Sequence, residues 1–338
     1  MHTVLGQNKA IATLKQALED GRKHHAWIFS GPRGVGKYTA ASSFAAQIVG
    51  TESTRGSTHP DIHVICKEDV AWSQNPALQR RKQTNIPIDL LRERIIGGKT
   101  SDDRVHDSAA FKTPVAGSQK VFIIDEAELL DEQGQNALLK TLEEPPLNTT
   151  IILITCRDDL LLPTIKSRCS IVGFSYLQPT DMALWAEGMK LDVSPSDLAW
   201  AIRFSGGSPG LVQEAIETNL AQVAHSISGF LNREKTSDYS RVALTLTSFV
   251  ESAVTAKLKE NSSASKESAN RRSLELLLLM FGASASALTR SGQADGITTS
   301  EIISDIERQM STNISLKVLV DSLCARWAHL CVGDSVFM

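Results

Sequence analysis

The sequence predicts a doubly wound α/β P-loop domain on a parallel sheet, followed by a small helical domain and an all-α C-terminal domain. Three observations predict it. The apolar segment AWIFS at 26–30 runs through the glycine-rich loop GPRGVGK into an Ala-rich helical stretch, the strand, loop and helix order that cradles phosphate. Further apolar strand candidates alternate with helical stretches, which is the pattern of a parallel sheet covered by helices. Beyond about Leu177 the strand signals fade and helical patterns take over. The expected divisions are 1–176, 177–221 and 222–338.

Each element has a local reason. From Asn8 to Arg22, Ile11, Leu14 and Leu18 recur at helical spacing before the strand at 26–30. DIHVI at 61–65 is a second strand candidate, and residues 66–118 are irregular, with a helix around Asp89 to Ile96. SQKVFIIDEAELL then supplies a near-continuous apolar strand ending in two carboxylates. DEQGQNALLKTLEEPP reads as a helix stopped by Pro145 and Pro146, and TTIILITC at 149–156 as another strand. Ligands of such a sheet gather at the carboxyl ends of its strands. In the last third, LELLLLMFG at 274–282 is too short to span a membrane and reads as a buried helix. The Ser-rich, charged stretch at 257–272 is expected to form a long loop between helices.

Composition excludes several classes. Of the 338 residues, 42% are hydrophobic and 22% charged, ordinary globular usage far from the disordered or collagenous classes. The first 25 residues lack the basic-then-apolar pattern of a signal peptide. Five scattered cysteines without CxxC spacing argue against a disulfide framework or a zinc site, and a reducing, cytoplasmic setting is expected. A net charge of −3 gives no global basic footprint, so any DNA contact must be local or made within a larger assembly.

The strongest chemical signal is Gly31 to Lys37. Glycines at 31, 34 and 36 let backbone N–H groups close around phosphate oxygens, while Lys37 supplies charge at the helix start. The next position should carry the Ser or Thr hydroxyl that ligates Mg²⁺. Here it is Tyr38, and Thr39 lies about 100° further round the helix. ATP binding is therefore a candidate property, and hydrolysis by this chain is expected to be weak or absent. Asp125, at a strand end, is placed to hold Mg²⁺ through water, and Glu126 to polarise an attacking water, the alternative being a solvated acidic turn.

Together these stretches resemble the clamp-loader branch of the AAA+ ATPases, and within it the delta-prime type of bacterial DNA polymerase III. LGQNKA at 5–10, HHAWIFSGPRGVGK at 24–37, THPDI at 58–62, NALLKTLEEPP at 136–146 and PTIKSRC at 163–169 carry the resemblance, which covers about 1–220. It implies a helical lid after the AAA+ domain and a C-terminal collar that holds subunits in a ring. Arg168 is implied as an arginine finger acting in trans on a neighbouring subunit's ATP, and Thr155 falls at the sensor-1 position. His59, Pro60 and Asp61 are expected to fix a turn. Two departures set the chain apart from motor subunits. GGSPGLVQEA at 206–215 has Pro209 and Gly210 where a motor carries a sensor-2 arginine, and GTESTRGSTHPD at 50–61 lacks the four-cysteine zinc module common in the family.

The resemblance thus implies a stator that helps load the sliding clamp onto primed DNA, with motor subunits and a delta subunit as partners in a hetero-oligomeric ring. The alternative within the family is an ATP-hydrolysing tau/gamma-type motor. A stand-alone P-loop kinase or nuclease-associated ATPase is a third reading, in which PTIKSRC and the helical C-terminal third have no ready role. Arg80, Arg81, Lys82, Arg92 and Arg94 form a basic stretch that is either a solvated surface or a phosphate contact.

Overall fold

The computed structural model describes residues 4–19, 24–51, 59–80, 84–233, 238–260, 264–292, 296–310, 312 and 314–332. They divide into two compact units, one holding the chain to Leu191 together with Gly206–Leu211, the other Asp192–Ser205 and the chain from Val212 onward.

The first unit is built on a five-stranded parallel sheet. Its strands are β1 (Ala26–Ser30), β2 (Ile62–Ile65), β3 (Lys120–Ile124), β4 (Thr149–Thr155) and β5 (Ser170–Gly173), in the spatial order β2-β3-β4-β1-β5. The central strands β1, β3 and β4 are buried on both faces, as a parallel sheet covered by helices requires. The edge strand β2 buries only Ile65. Register aligns Ser30 with Thr155 and Ile65 with Ile124, so the residues following β1, β3 and β4 emerge along one edge.

The helices follow their signals. The opening helix α1 (Asn8–Glu19) buries Ala10 and Leu14, and residues 20–23, to which the periodicity extended it, lie outside those described. The helix α2 (Lys37–Val49) starts at Gly36, φ 98°, and stops at Gly50, φ 78°, both in the left-handed region. The helix α3 (Glu132–Glu143) is capped by Asp131, whose side chain accepts from the Gly134 N–H at 2.6 Å, and is followed by Pro145 and Pro146. The expected helix around 89–96 divides into an α-turn, Ile88–Leu91, and a wider π-turn, Arg92–Ile96, that ends at Gly97 with φ 71°. The helix α4 (Pro179–Met189) completes this unit's regular elements.

The second unit is helical in its described residues. It contains α5 (Pro195–Ser205), the end of α6 (Pro209–Glu217), α7 (Leu220–Ser226), α8 (Tyr239–Glu260), α9 (Lys266–Arg290), α10 (Gly296–Gln309) and α11 (Leu316–Val332). Its core sets Phe281 edge-on to Trp327 at 4.8 Å, and the Trp327 indole donates to the Phe230 carbonyl at 3.2 Å. LELLLLMFG lies within α9 with Leu274, Leu276, Leu277, Leu278 and Phe281 buried. The long loop expected at 257–272 is corrected. Helix α8 runs to Glu260, Ser265 caps α9 by accepting from the Ser268 N–H, and Arg272 is half-buried in an ion pair with Glu214. Ser and Lys in this stretch therefore serve a cap and two helix ends. Among the described residues no helix is long and apolar enough to cross a membrane.

Candidate functional site

The loop between β1 and α2 closes on itself. Gly31, Gly34 and Gly36 have φ of 150°, 76° and 98°, conformations that favour glycine. Lys37 Nζ donates to the Gly31 and Pro32 carbonyls, each at 2.6 Å, curling over the loop it follows. Burial lowers the Lys37 pKa, while Cys156, Glu128 and Asp125 nearby act in the opposite direction. Tyr38 points its ring to the surface, 46% exposed, and Thr39 is half-buried.

Four carboxyl and thiol groups face this loop or flank it. Asp125 follows β3 and accepts from the Glu126 N–H at 3.0 Å; burial first, then the Glu126 charge, raises its pKa. Glu126 adopts a left-handed conformation, φ 52°, and its carboxylate is bound by two cations, Lys67 at 2.6 Å and Arg33 at 3.2 Å. Glu128 accepts from the Cys156 thiol at 2.7 Å, and its Oε2 is buried without a hydrogen-bond partner among the described residues. Burial and the Glu128 bond push the Cys156 thiol up to about 11. Thr155 ends β4; its carbonyl accepts from the Gly31 N–H at 3.3 Å and its hydroxyl from the Arg157 N–H. The structure thus brings together the loop, Lys37, Asp125, Glu126 and Thr155 at one end of the sheet.

The GGSP turn lies on the phosphate-binding loop. Ser208 Oγ donates to the Arg33 carbonyl at 2.9 Å, and the Gly210 N–H donates to the Gly34 carbonyl at 2.9 Å. A Cβ at Gly210 would stand 2.7 Å from the Gly34 Cα, and one at Gly34 would stand 2.5 Å from Ser208 Oγ. Both glycines are therefore required for this contact. Gln7 fastens the other side, donating to the Ser175 carbonyl at 2.6 Å and accepting from the Ser175 N–H at 3.1 Å.

Arg168 lies apart from the carboxylates around Lys37. It follows the short helix Pro163–Lys166, and its Nη2 pairs with Glu143 Oε1 at 2.7 Å while Nη1 donates to the Thr164 carbonyl at 2.9 Å. A third of the side chain is exposed, 34%. Asp61 acts structurally. Its buried carboxylate accepts from the Val115, Ala116 and Gly117 N–H groups at 2.5, 2.8 and 2.8 Å. Burial alone would raise its pKa, but these three bonds hold it below the usual carboxylate range. Of the basic stretch, Arg92 pairs with Asp89 at 3.3 Å and Arg94 donates to the Trp72 carbonyl at 3.4 Å, whereas Arg81 and Lys82 lie outside the described residues.

A family profile described as "DNA polymerase III, delta subunit" matches residues 6–178, half of the chain. The chain belongs to this family. DNA polymerase III subunit gamma/tau of Mycobacterium bovis is 36% identical over 227 residues, covering 65% of this chain and 37% of the relative. Subunit tau of Bacillus subtilis is 35% identical over 171 residues, covering 51% and 28%. The chain thus spans about a third of the length of these curated relatives. A solved DNA polymerase III gamma subunit-related protein from Thermotoga maritima is 17% identical, with 94% of this chain and 99% of that one covered and a TM-score of 0.49.

The protein, a DNA polymerase III delta-family chain, has the expected parallel α/β domain with a glycine loop between β1 and α2, followed by helices. The sequence missed the cations that hold Glu126, the Glu128 to Cys156 pair and the Gln7 clasp. Lys67 stands 59 positions from Glu126 and Gln7 stands 168 from Ser175, and no local pattern marks such partners.

Proposed function

We propose that this chain is a stator subunit of a DNA polymerase III clamp loader, which donates Arg168 to a neighbouring subunit's ATP site while its own site hydrolyses ATP weakly or not at all. The observation that carries the proposal is the double capture of Glu126 by Lys67 and Arg33. A carboxylate so bound has its oxygens turned to the two cations instead of to an attacking water. Tyr38 supports it, because no short hydroxyl follows Lys37 to meet a metal.

The residues fit a nucleotide's phosphates better than a hydrolytic magnesium centre. The left-handed glycine conformations of the loop and the Lys37 ammonium at the start of α2 fit an anionic, hydrogen-bonding ligand. Bound ATP would supply the phosphate that Lys37 and the loop N–H groups hold. On this reading residues 177–221 act as a lid and 222–338 as a collar, the partners are motor subunits and a delta subunit in a ring, and the assembly works on clamp and primed DNA in the cytoplasm. Arg80 to Arg94 is a candidate DNA face.

The second reading is a tau/gamma-type motor, favoured by Lys37, Asp125 and Thr155 standing together and by the names of the relatives. The test is ATP turnover of the clamp loader reconstituted with motor subunits, clamp and primed DNA. Arg168→Ala is expected to lower turnover and loading strongly while Lys37→Ala changes little. Loss of a full site's turnover with Lys37→Ala would establish the motor reading instead.

A further inference from the structure

Glu143 occupies a position that local helix energetics disfavour. It is the last residue of α3, where the exposed backbone carbonyls carry partial negative charge, and Glu144 follows it. Its carboxylate turns to Arg168, 25 residues along the chain and on a different element, and meets Nη2 at 2.7 Å. The same guanidinium is held from a second direction, Nη1 donating to the Thr164 carbonyl at 2.9 Å and to Ser167 Oγ at 3.3 Å. A guanidinium is planar, so acceptors on Nη1 and Nη2 from two elements fix the orientation of its plane as well as its place. Among the described residues Arg168 Nε makes no hydrogen bond, and a third of the side chain remains exposed. The arrangement holds a long, rotamer-rich cation still while leaving part of its donor fork unused.

We propose that Glu143 is a positioning residue for Arg168, holding its guanidinium in the orientation in which it meets a phosphate on a neighbouring subunit. The inference rests on the arginine-finger reading above. Fixing the side chain in advance removes the conformational entropy that would otherwise be lost at the moment of reaction, so Glu143 acts on the rate of the neighbour's chemical step and not on how tightly the neighbour holds ATP. The contact also joins the segment after β4 to the helix after β3, so the finger's aim depends on both.

The experiment is a double-mutant cycle in the reconstituted clamp loader, with ATP concentration varied and assembly of each variant checked by gel filtration. Glu143→Ala is expected to lower kcat about three- to tenfold with KM for ATP unchanged, and to add nothing in an Arg168→Ala background. Glu143→Gln, which keeps an acceptor oxygen without the charge, is expected to retain more turnover than Glu143→Ala. If Arg168→Ala lowers kcat strongly while Glu143→Ala leaves it unchanged, or if the two effects add, Glu143 does not position the finger. An unaltered kcat in Arg168→Ala would overturn the arginine-finger reading itself, a separate result.

Discussion

The glycine loop and the Arg168 motif differ in how their charged groups are partnered. Around the loop the charges are turned inward: Lys37 is bonded to carbonyls of its own loop, Glu126 lies between Lys67 and Arg33, and Glu128 accepts from Cys156. Arg168 has one carboxylate partner, on a helix end, and stays partly open to solvent. The difference teaches that motif residues alone do not define an active site. The loop keeps its glycines and lysine while Lys37 and Glu126 turn to partners within the chain, whereas Arg168 leaves part of its guanidinium open to solvent.

The largest effect expected to sharpen this contrast is the loss of Arg168. Arg168→Ala should slow the site it completes by at least about 10²-fold, read as clamp-stimulated ATP turnover in the assembled complex, with Lys37→Ala close to wild type. Next is the contact between the GGSP turn and the glycine loop. Gly210→Arg places a side chain against the Gly34 backbone, and a loss of about 1–3 kcal/mol is expected in chemical denaturation; unchanged stability would show that the turn lifts away freely. A smaller change of opposite sign is expected from Asp125→Asn. Because the folded-state pKa of Asp125 is raised, its ionisation costs stability at pH above that value and nothing below the unfolded carboxylate range. The substitution should therefore stabilise by ~1 kcal/mol at neutral pH, fading as pH drops toward about 4.

Asp61 should behave in the reverse sense. Its folded-state pKa is depressed, so its contribution is complete above the unfolded carboxylate value and is lost as pH falls through the lowered one. Wild type should accordingly lose more thermal stability than Asp61→Asn between about pH 4 and pH 2, checked by melting temperature across that range. Parallel curves would mean that the three N–H bonds do not favour the charged form.

Much of the fold was legible because its signals are short in range. AWIFS, VFII and TTIILIT are apolar enough to need burial on both faces, and Asp131, Gly50 and the paired prolines mark helix ends within a few residues. Lys37 was placed by the glycine-loop motif, Asp125 by the apolar strand it follows and Thr155 by the resemblance, and register then brings these strand ends together. The Ser-rich stretch was misread because composition says loop whereas one serine, Ser265, caps a helix whose buried face lies further along. The partners of Glu126, Arg33 and Arg168 depend on how distant segments approach, with Ser208 standing 175 positions from Arg33, and no periodicity encodes that.

The pairing of Gly34 with Gly210 carries a consequence for substitution. A Cβ at either position meets the opposite segment while the turn lies on the loop, and moving the turn away forfeits the Ser208 to Arg33 and Gly210 to Gly34 hydrogen bonds. The two positions therefore behave as one site, and neither gains a side chain until the other segment has moved.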